Sequence, residues 1–438
     1  MLKLRTESLN FESFIAGRLA LSRGKSFTKT IVGIAIAAIA ISLAVMLLAN
    51  AMITGFKKEI HSKIFGFWGH IHISDTNYNR DFELRPISIA DKYYQELKKV
   101  KSIDYQKPVK FLGFELPEKY RTVKTKGGVE HIQPFIIMPG LIESSSEFQA
   151  ILFKGINEEF DWKKMQRFIV MGRGLNPGTE DEIVVSKIIA DKLGLEVDKD
   201  VIVSFVKNKN KIRRKLHIVG VFNTGLEEYD KRFVMGNMNK VRELLGWNES
   251  QVAGIEVFLD DIDDSEVITE YIYNYILPNN LYAERIQQKF PSIFEWLKLQ
   301  DINEKVILQL MAIVAIINMV TVLLILILER TNMIGVVKAL GAKNWQVQKI
   351  FLYYAAIIIF SGQLLGNVLG LGLAWLQKTY KFLKLDEQNY YLDTAPIYIS
   401  WPTVLWINLG AFLVVLTFLV LPTFTINKIR PIQALRFK

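Results

Sequence analysis

The 438-residue chain contains no cysteine. Disulfides and thiolate metal sites are therefore excluded, and cysteine usage says nothing about the redox compartment. There is no G-x-x-x-x-G-K-S/T run, so the chain has no phosphate-cradling loop of its own. It also lacks an H-E-x-x-H run and a nucleophile elbow. Its five histidines are scattered. Only His70 and His72 have the i, i+2 spacing of ligands on one strand face, and no cysteine or carboxylate pattern accompanies them. Nothing here points to catalysis, to a metal, or to a cofactor bound by this chain. A net charge of +10 invites a nucleic-acid partner. Basic residues flanking membrane spans give the same total, so no nucleic acid is expected.

What the chain does have is long apolar runs. Half its residues are hydrophobic, and the mean hydropathy is +0.20. That is high for a soluble protein and low for one made only of spans, which indicates a few spans plus a sizeable soluble part. A span needs about 20 apolar residues. Four stretches qualify, at 30–55, 303–328, 350–376 and 403–421. The first is preceded by about 29 residues, too many for a signal-peptide n-region, and reads as an uncleaved anchor.

Lys and Arg set the orientation. They concentrate in the N-terminal segment (Lys3, Arg5, Arg18, Arg23, Lys25, Lys29), in the loop after the second run (Arg330, Lys338, Lys343, Lys349) and in the tail (Lys428, Arg430, Arg436, Lys438). With four spans, all three segments share one side, which the positive-inside rule makes cytoplasmic. Residues 56–302 then lie outside, long enough for a core of their own and expected as two subdomains. The expected fold class is a membrane protein with four transmembrane helices and a large α+β extracytoplasmic domain between helices 1 and 2.

Within that frame, residues 1–29 read as a cytoplasmic interfacial helix, with Phe11, Phe14, Ile15 and Leu19 at helical spacing. "GHIHIS", "VIVSFV" and "KIRRKLHIVGVF" have strand patterns, and "DEIVVSKIIADKLGLEVDKDVIVSFV" reads as strand, helix, strand. Pro291 opens a helix that continues into the second span. Residues 377–402 form a short outer loop, and 422–438 a cytoplasmic tail. Gly362, Gly366 and Gly370 form a ladder of small residues that suits close helix packing, within one chain or across a dimer.

The most informative stretch is "LERTNMIGVVKALGAKNWQVQKIF", residues 328–351. Met333, Ile334, Val336, Val337 and Leu340 mark one helix face and its flank. Gly341 suits a left-handed helix stop, and Asn344 is placed to cap the next helix. Residues 329–349 therefore read as a short cytoplasmic helix, either an interfacial helix resting on lipid or a peg for a cytosolic protein. With no energy source in this chain, that protein is expected to be a motor.

Here the residues carry a family resemblance. "ERTNMIGVVKALGAKNWQVQKIF" resembles the coupling segment of the MacB/FtsX-like group of ABC permeases. "FIAGRLALSRGK" and "AVMLLANAMITGFKKEIHSKIFGFWGHIHI", with Gly55-Phe56, resemble the start of lipoprotein-releasing (Lol-type) permeases. "DEIVVSKIIADKLGLEV" is similar to the outer-domain pattern. "NKIRPIQALRFK", with Pro431, Ala434, Leu435 and Arg436, resembles the C-terminal signature.

The resemblance implies a non-catalytic permease of the bacterial inner membrane. It implies a second permease, identical or homologous, and two copies of a separate ABC ATPase that binds ATP–Mg. It further implies mechanotransmission: the ATPase stroke moves the coupling helices and the outer domains, and lipoprotein cargo is extracted from the outer leaflet. ATPase coupling then falls on Glu329, Met333, Ile334, Gly335, Val337, Leu340 and Gly341. Acyl chains would sit between the first two spans, with Met46, Asn50, Ile53, Leu310, Met311 and Val314 as candidate contacts among membrane lipids.

One feature departs from the pattern. Carrier-recruiting subunits of this branch have a proline-containing hairpin after the strand equivalent to "VIVSFV". Here the turn is "KNKNK", and no proline occurs between Pro177 and Pro278. The basic run from Lys207 to Lys215 reads either as a solvated hairpin tip or as a contact for an acidic surface, lipid head groups or a periplasmic lipoprotein carrier, with Lys209, Lys211 and Arg213 as the candidate contacts through charge. The alternative to lipoprotein release is another FtsX/MacB-like mechanotransmitting permease, for cell-wall hydrolase activation or efflux.

The absence of cysteine makes the topology testable. A single Asn210→Cys variant should react with an impermeant maleimide from outside intact cells. Labelling only from the cytoplasmic side would contradict the assigned orientation.

Overall fold

The computed structural model describes residues 12, 15, 17, 26–77, 84–111, 114–144, 147–176, 178–207, 210–386 and 390–429. The interfacial helix expected in 1–29 and the C-terminal signature from Arg430 onward lie almost wholly outside them. The chain divides into two compact units. One is Glu59–Glu295 with Asp386–Asp393, and the other is Met1–Lys58 with Trp296–Leu385 and Thr394–Lys438. Two long helices run through the boundary, α1 (Ser26–Trp68) and α2 (Pro291–Glu329). Glu59–Glu295 falls within one of these units.

Fourteen strands are found among the described residues: β1 (Ile71–Asp75), β2 (Ile87–Ser88), β3 (Asp104–Phe111), β4 (Phe114–Lys124), β5 (Val129–Glu143), β6 (Phe148–Ile156), β7 (Ile169–Gly172), β8 (Glu182–Ser186), β9 (Asp200–Lys207), β10 (Asn210–Phe222), β11 (Phe233–Asn237), β12 (Gln251–Val252), β13 (Gly254–Leu259) and β14 (Leu281–Arg285). Ten of them form one sheet in the order β14-β1-β13-β5-β6-β11-β8-β10-β7, with β9 pairing both β10 and β5. That double pairing closes β5, β6, β11, β8, β10 and β9 on themselves, which removes their free edges. Ile136 and Met138, Ile183 and Val185, and Val203 and Phe205 each alternate along a strand and share one buried cluster. Between β8 and β9, the helix Lys187–Leu193 starts where the Ser186 hydroxyl accepts the Ile189 N–H at 3.1 Å.

The end of α1 is built into this sheet. The helix leaves its last carbonyls without helical partners. Gly69, in the left-handed region at φ +69°, donates its N–H to the Phe65 carbonyl at 2.9 Å. The Lys154 ammonium donates to the Phe67 carbonyl at 2.7 Å, and His72 Nε2 meets the Trp68 carbonyl at 2.8 Å. Lys154 also pairs with Glu256 Oε1 at 2.7 Å, and both side chains are fully buried. Gln133 Nε2 donates to Glu256 Oε2 at 2.7 Å. His72, Glu256 and Gln133 stand in register on β1, β13 and β5, so the strand pairing itself assembles the network. The Lys154 ammonium also lies 4.5 Å from the centre of the Phe67 ring and 4.8 Å from that of Trp68.

Charge states follow from the surroundings. Burial first, then Lys289, hold the His72 pKa well below its usual value, so the ring is neutral. Its Nε2–H donates to Trp68, and Nδ1 accepts from Lys289 Nζ at 3.2 Å. Burial lowers the Lys154 pKa and Glu256 raises it again.

The second unit is helical. α3 (Thr331–Ala339), α4 (Asn344–Tyr380) and α5 (Trp401–Phe418) follow α2. Among the described residues, four helices are long and apolar enough to cross a membrane, by length and composition: Lys29–Trp68, Pro291–Glu329, Asn344–Tyr380 and Trp401–Lys428. The small-residue ladder packs within the chain, on α1. A Cβ at Gly362 would meet Ile39 at 2.8 Å, one at Gly366 the Ala40 carbonyl at 2.8 Å, and one at Gly370 the Ala44 Cα at 3.0 Å. Across α4 and α5, the Asn367 and Asn408 amides exchange hydrogen bonds at 2.7 and 3.0 Å.

Removing one partner of the buried pair leaves the other charge unmatched. Lys154→Met should cost about 3–5 kcal/mol. The double variant Lys154→Met/Glu256→Leu should recover most of that, as read by denaturant melts of the full chain. Equal stability of the single variant and the parent would contradict the network.

Candidate functional site

The 24 residues that stand out in the sequence form a helix–stop–helix turn. α3 ends in a Schellman arrangement: the Ala342 N–H donates to the Val337 carbonyl at 3.2 Å and the Gly341 N–H to the Lys338 carbonyl at 3.0 Å. Gly341 adopts φ +96°, the left-handed conformation that a glycine takes without strain. The start of α4 differs from the sequence reading. Asn344 is already the first helical residue, and Lys343 holds the cap position. The Gln346 side chain supplies the cap by accepting the Lys343 N–H at 2.9 Å. Its reach back to the cap N–H replaces the asparagine cap.

α3 has an inner and an outer apolar face. Ile334 is 0% exposed within a cluster that includes Met319, Leu323, Ile327, Val347 and Phe351. Gly335 is also buried, and Met333 and Val337 pack half-buried against that cluster. The outer face carries Leu340, 83% exposed, and Val336, with Leu328 and Trp345 exposed on the flanking helices. Glu329 and Gly341 are also exposed.

Lys338, one of the turn's lysines, points inward. Its ammonium donates to the carbonyls of Ile426 at 2.6 Å and Ile429 at 3.0 Å, so it caps the last helical turn, Thr425–Lys428. Burial pulls its pKa down. Lys349 lies 5.8 Å from the centre of the Trp345 ring. The turn thus presents an apolar, basic-rimmed outer surface on a helix whose inner side is fastened to α2, α4 and the C-terminal turn.

The other candidates fall in two places. On α1, Met46 and Asn50 are buried and Ile53 is half-buried; on α2, Leu310 and Val314 are exposed and Met311 is half-buried. Asn50 Nδ2 donates to Glu304 Oε1 at 2.5 Å, Lys57 pairs with Asp301 at 2.6 Å, and the Phe56 and Trp296 rings lie 5.1 Å apart. These contacts tie α1 to α2 rather than leaving a lined gap between them.

Of the basic run, Lys209 lies outside the described residues. Lys211 and Arg213 both pair with Glu143 of β5, Arg213 at 3.2 Å. Lys211 first, then the Ser204 hydroxyl, hold the Glu143 pKa below the usual carboxylate range. Arg214 pairs with Glu243 and Lys215 with Asp200. Much of the positive charge is therefore matched inside the unit. Of the spaced histidines, His72 is engaged at the end of α1, and His70 Nδ1 accepts the Leu259 N–H at 2.9 Å. No group of three or more metal-ligating side chains occurs among the described residues.

Sequence reasoning missed two things. It did not separate the inner from the outer side of α3, because apolar residues occur at nearly every position from Met333 to Leu340 and blur the helical phase. It also passed over Lys154 and Glu256. Each is a single charge inside an apolar strand, "ILFKGI" and "GIEVFL", and two opposite lone charges in apolar strands are a signal for a buried pair.

Comparison with known proteins gives the same direction. Residues 305–431 match the FtsX-like permease C-terminal family. The chain is similar to the lipoprotein-releasing system transmembrane protein LolC of Neisseria meningitidis, with 23% identity across 98% of this chain and the whole of that protein. It is similar to LolE of Haemophilus influenzae, with 22% identity across 91% of this chain and 92% of that one. Its likeness to the extracellular domain of the noncanonic ABC-type transporter YknZ from Gram-positive bacteria is weak, with TM-score 0.31 and 13% identity over 49% of this chain and 100% of that one.

The two faces of α3 make opposite demands. Ile334→Glu should lower the melting temperature of the purified chain markedly, because it buries an unpaired charge. Leu340→Glu should leave it unchanged. Equal effects of the two would contradict the assignment of inner and outer faces.

Proposed function

From the premise that residues 305–431 match the FtsX-like permease C-terminal family and that the chain is similar to LolC along nearly its whole length, we propose that it is the membrane permease subunit of an ATP-driven lipoprotein-releasing complex. LolC and LolE are named as transmembrane proteins of lipoprotein-releasing systems, and in our reading the chemistry belongs to a separate ABC ATPase that binds ATP–Mg. The four apolar helices are taken as four spans of the bacterial inner membrane, with Glu59–Glu295 on the periplasmic side. A second permease, a copy or a homologue, completes the membrane part, and two ATPase subunits dock on the cytoplasmic turns.

The observation that carries this reading is the built coupling turn. α3 is fixed to the body by Ile334 and Lys338 and stopped by Gly341. It leaves Val336 and Leu340 outside, with Trp345 beside them. An apolar patch held outward on a fixed helix is the kind of surface that a partner covers. A push on α3 passes into α2 and α4 through the Ile334 cluster. α2 and α1 are continuous over 39 and 43 residues, and in our reading the stroke travels along them. We take this as mechanotransmission: the outer unit moves while the cargo never crosses the membrane. Lipoprotein acyl chains would enter beside α1 and α2 from the outer leaflet. Leu310 and Val314 are the exposed contacts, and Met46 and Asn50 become available only if the α1–α2 contacts open. A carrier, if one is recruited, would meet the outer unit without a proline-containing hairpin.

The docking claim has a direct test. Leu340→Glu, with the fold intact, should weaken co-purification of the ATPase about tenfold or more, the effect of losing a central apolar anchor. Undiminished co-purification would remove α3 from the interface.

A further inference from the structure

We propose that the unit Glu59–Glu295 has a binding site for a phosphate-bearing ligand, in the cavity between the α1 segment at Ser62–Phe65 and the segment Lys163–Arg167. The cavity measures about 400 Å³, and Lys163, Lys164, Arg167 and His70 contribute to its lining. The one carboxylate among its described lining residues is Glu130.

Arg167, Lys164 and His70 are each held in place. Arg167 Nη2 donates to the Ser62 hydroxyl, and its guanidinium lies 4.5 Å from the centre of the Phe168 ring. That leaves further N–H groups of its planar fork for a ligand. The Lys164 ammonium lies 2.8 Å from Glu130 Oε2 and 4.4 Å from the centre of the Phe258 ring, so its direction is set by a charge and an aromatic face. His70 stacks on Phe65 with ring centres 4.4 Å apart. Its Nδ1 accepts the Leu259 N–H, which places the ring proton on Nε2 and makes that nitrogen a donor. Burial first, then Lys164, push the His70 pKa down to about 3, so the ring remains a neutral donor.

The ligand class follows from this inventory. A guanidinium, two ammonium groups and an imidazole N–H offer more donors than the two oxygens of a carboxylate can accept. A phosphate group has three or four oxygens and a charge that suits three cations set against one carboxylate. The apolar walls, Phe65 and Phe258, leave space for an organic substituent. The shared chemistry is a phosphate group, whether on a phospholipid headgroup or free in solution. Because the lining comes from both α1 and the Lys163–Arg167 segment, an occupant would bind the end of α1 to that segment.

The test uses the full chain in maltoside detergent, which contributes no phosphate. Inorganic phosphate and dihexanoyl phosphatidylglycerol below its micelle concentration are titrated separately by calorimetry, with acetate and chloride at matched ionic strength as controls. We expect saturable binding of at least one phosphate probe, about tenfold weaker in Arg167→Gln. Glu130→Gln, which removes the competing carboxylate, should bind several-fold tighter, and this arm stands if Arg167→Gln fails to fold. Binding of both probes indicates the phosphate group alone, and binding of the lipid probe only indicates a headgroup. The proposal is overturned if neither probe saturates, if acetate binds equally well, or if affinity is the same in wild type and Glu130→Gln.

Discussion

The Lys154 ammonium at the carbonyl end of α1 is the contact on which the rest of the unit Glu59–Glu295 depends. A helix that ends inside a protein must place its last carbonyls on some donor, and a cation there also meets the negative end of the helix dipole. Lys154 does both, but a buried ammonium is costly unless a carboxylate matches it. Glu256 does so, and Gln133 satisfies the second oxygen of Glu256. The three strands that carry these residues are adjacent, so the sheet cannot shift register by one residue without moving them to the opposite face. Helix end and sheet register are thereby fixed together.

The same logic appears in the helical unit. Lys338 places its ammonium on the carbonyls that close the C-terminal helix, and Ile334 fills the space between α2 and α4. In both places a lysine that a charge count assigns to the surface is turned inward as a helix cap. α3 and the end of α1 are each fastened within their own unit.

Much of this was legible in the sequence, and the losses have physical causes. The four apolar runs, the left-handed stop at Gly341 and the strands at "GHIHIS" and "VIVSFV" follow from local patterns, because hydropathy, glycine conformation and strand alternation are decided by near neighbours. The helix bounds were less legible. α1 extends to Trp68, well past the apolar run, since its last turns are buried by the sheet rather than by lipid. The closed ring of six strands depends on β9 pairing with β5, about sixty residues away, and no local pattern announces it. The basic run near Lys211 looked like a free charge patch because Glu143, which matches Lys211 and Arg213, comes from another strand. The candidate site was legible as a segment but not as a face: composition located α3, while which of its apolar residues point outward was decided by packing against α2 and α4.

The account's central claim is that ATP hydrolysed by a partner drives lipoprotein out of the membrane through this chain. The most direct measurement is release of a fluorescent triacylated lipoprotein from proteoliposomes that contain the chain together with its co-purified ATPase, with and without ATP–Mg. The account expects release that needs ATP–Mg and stops when the ATPase is left out. Release at the same rate without ATP–Mg, or none under any condition while the ATPase remains bound and active, would contradict it.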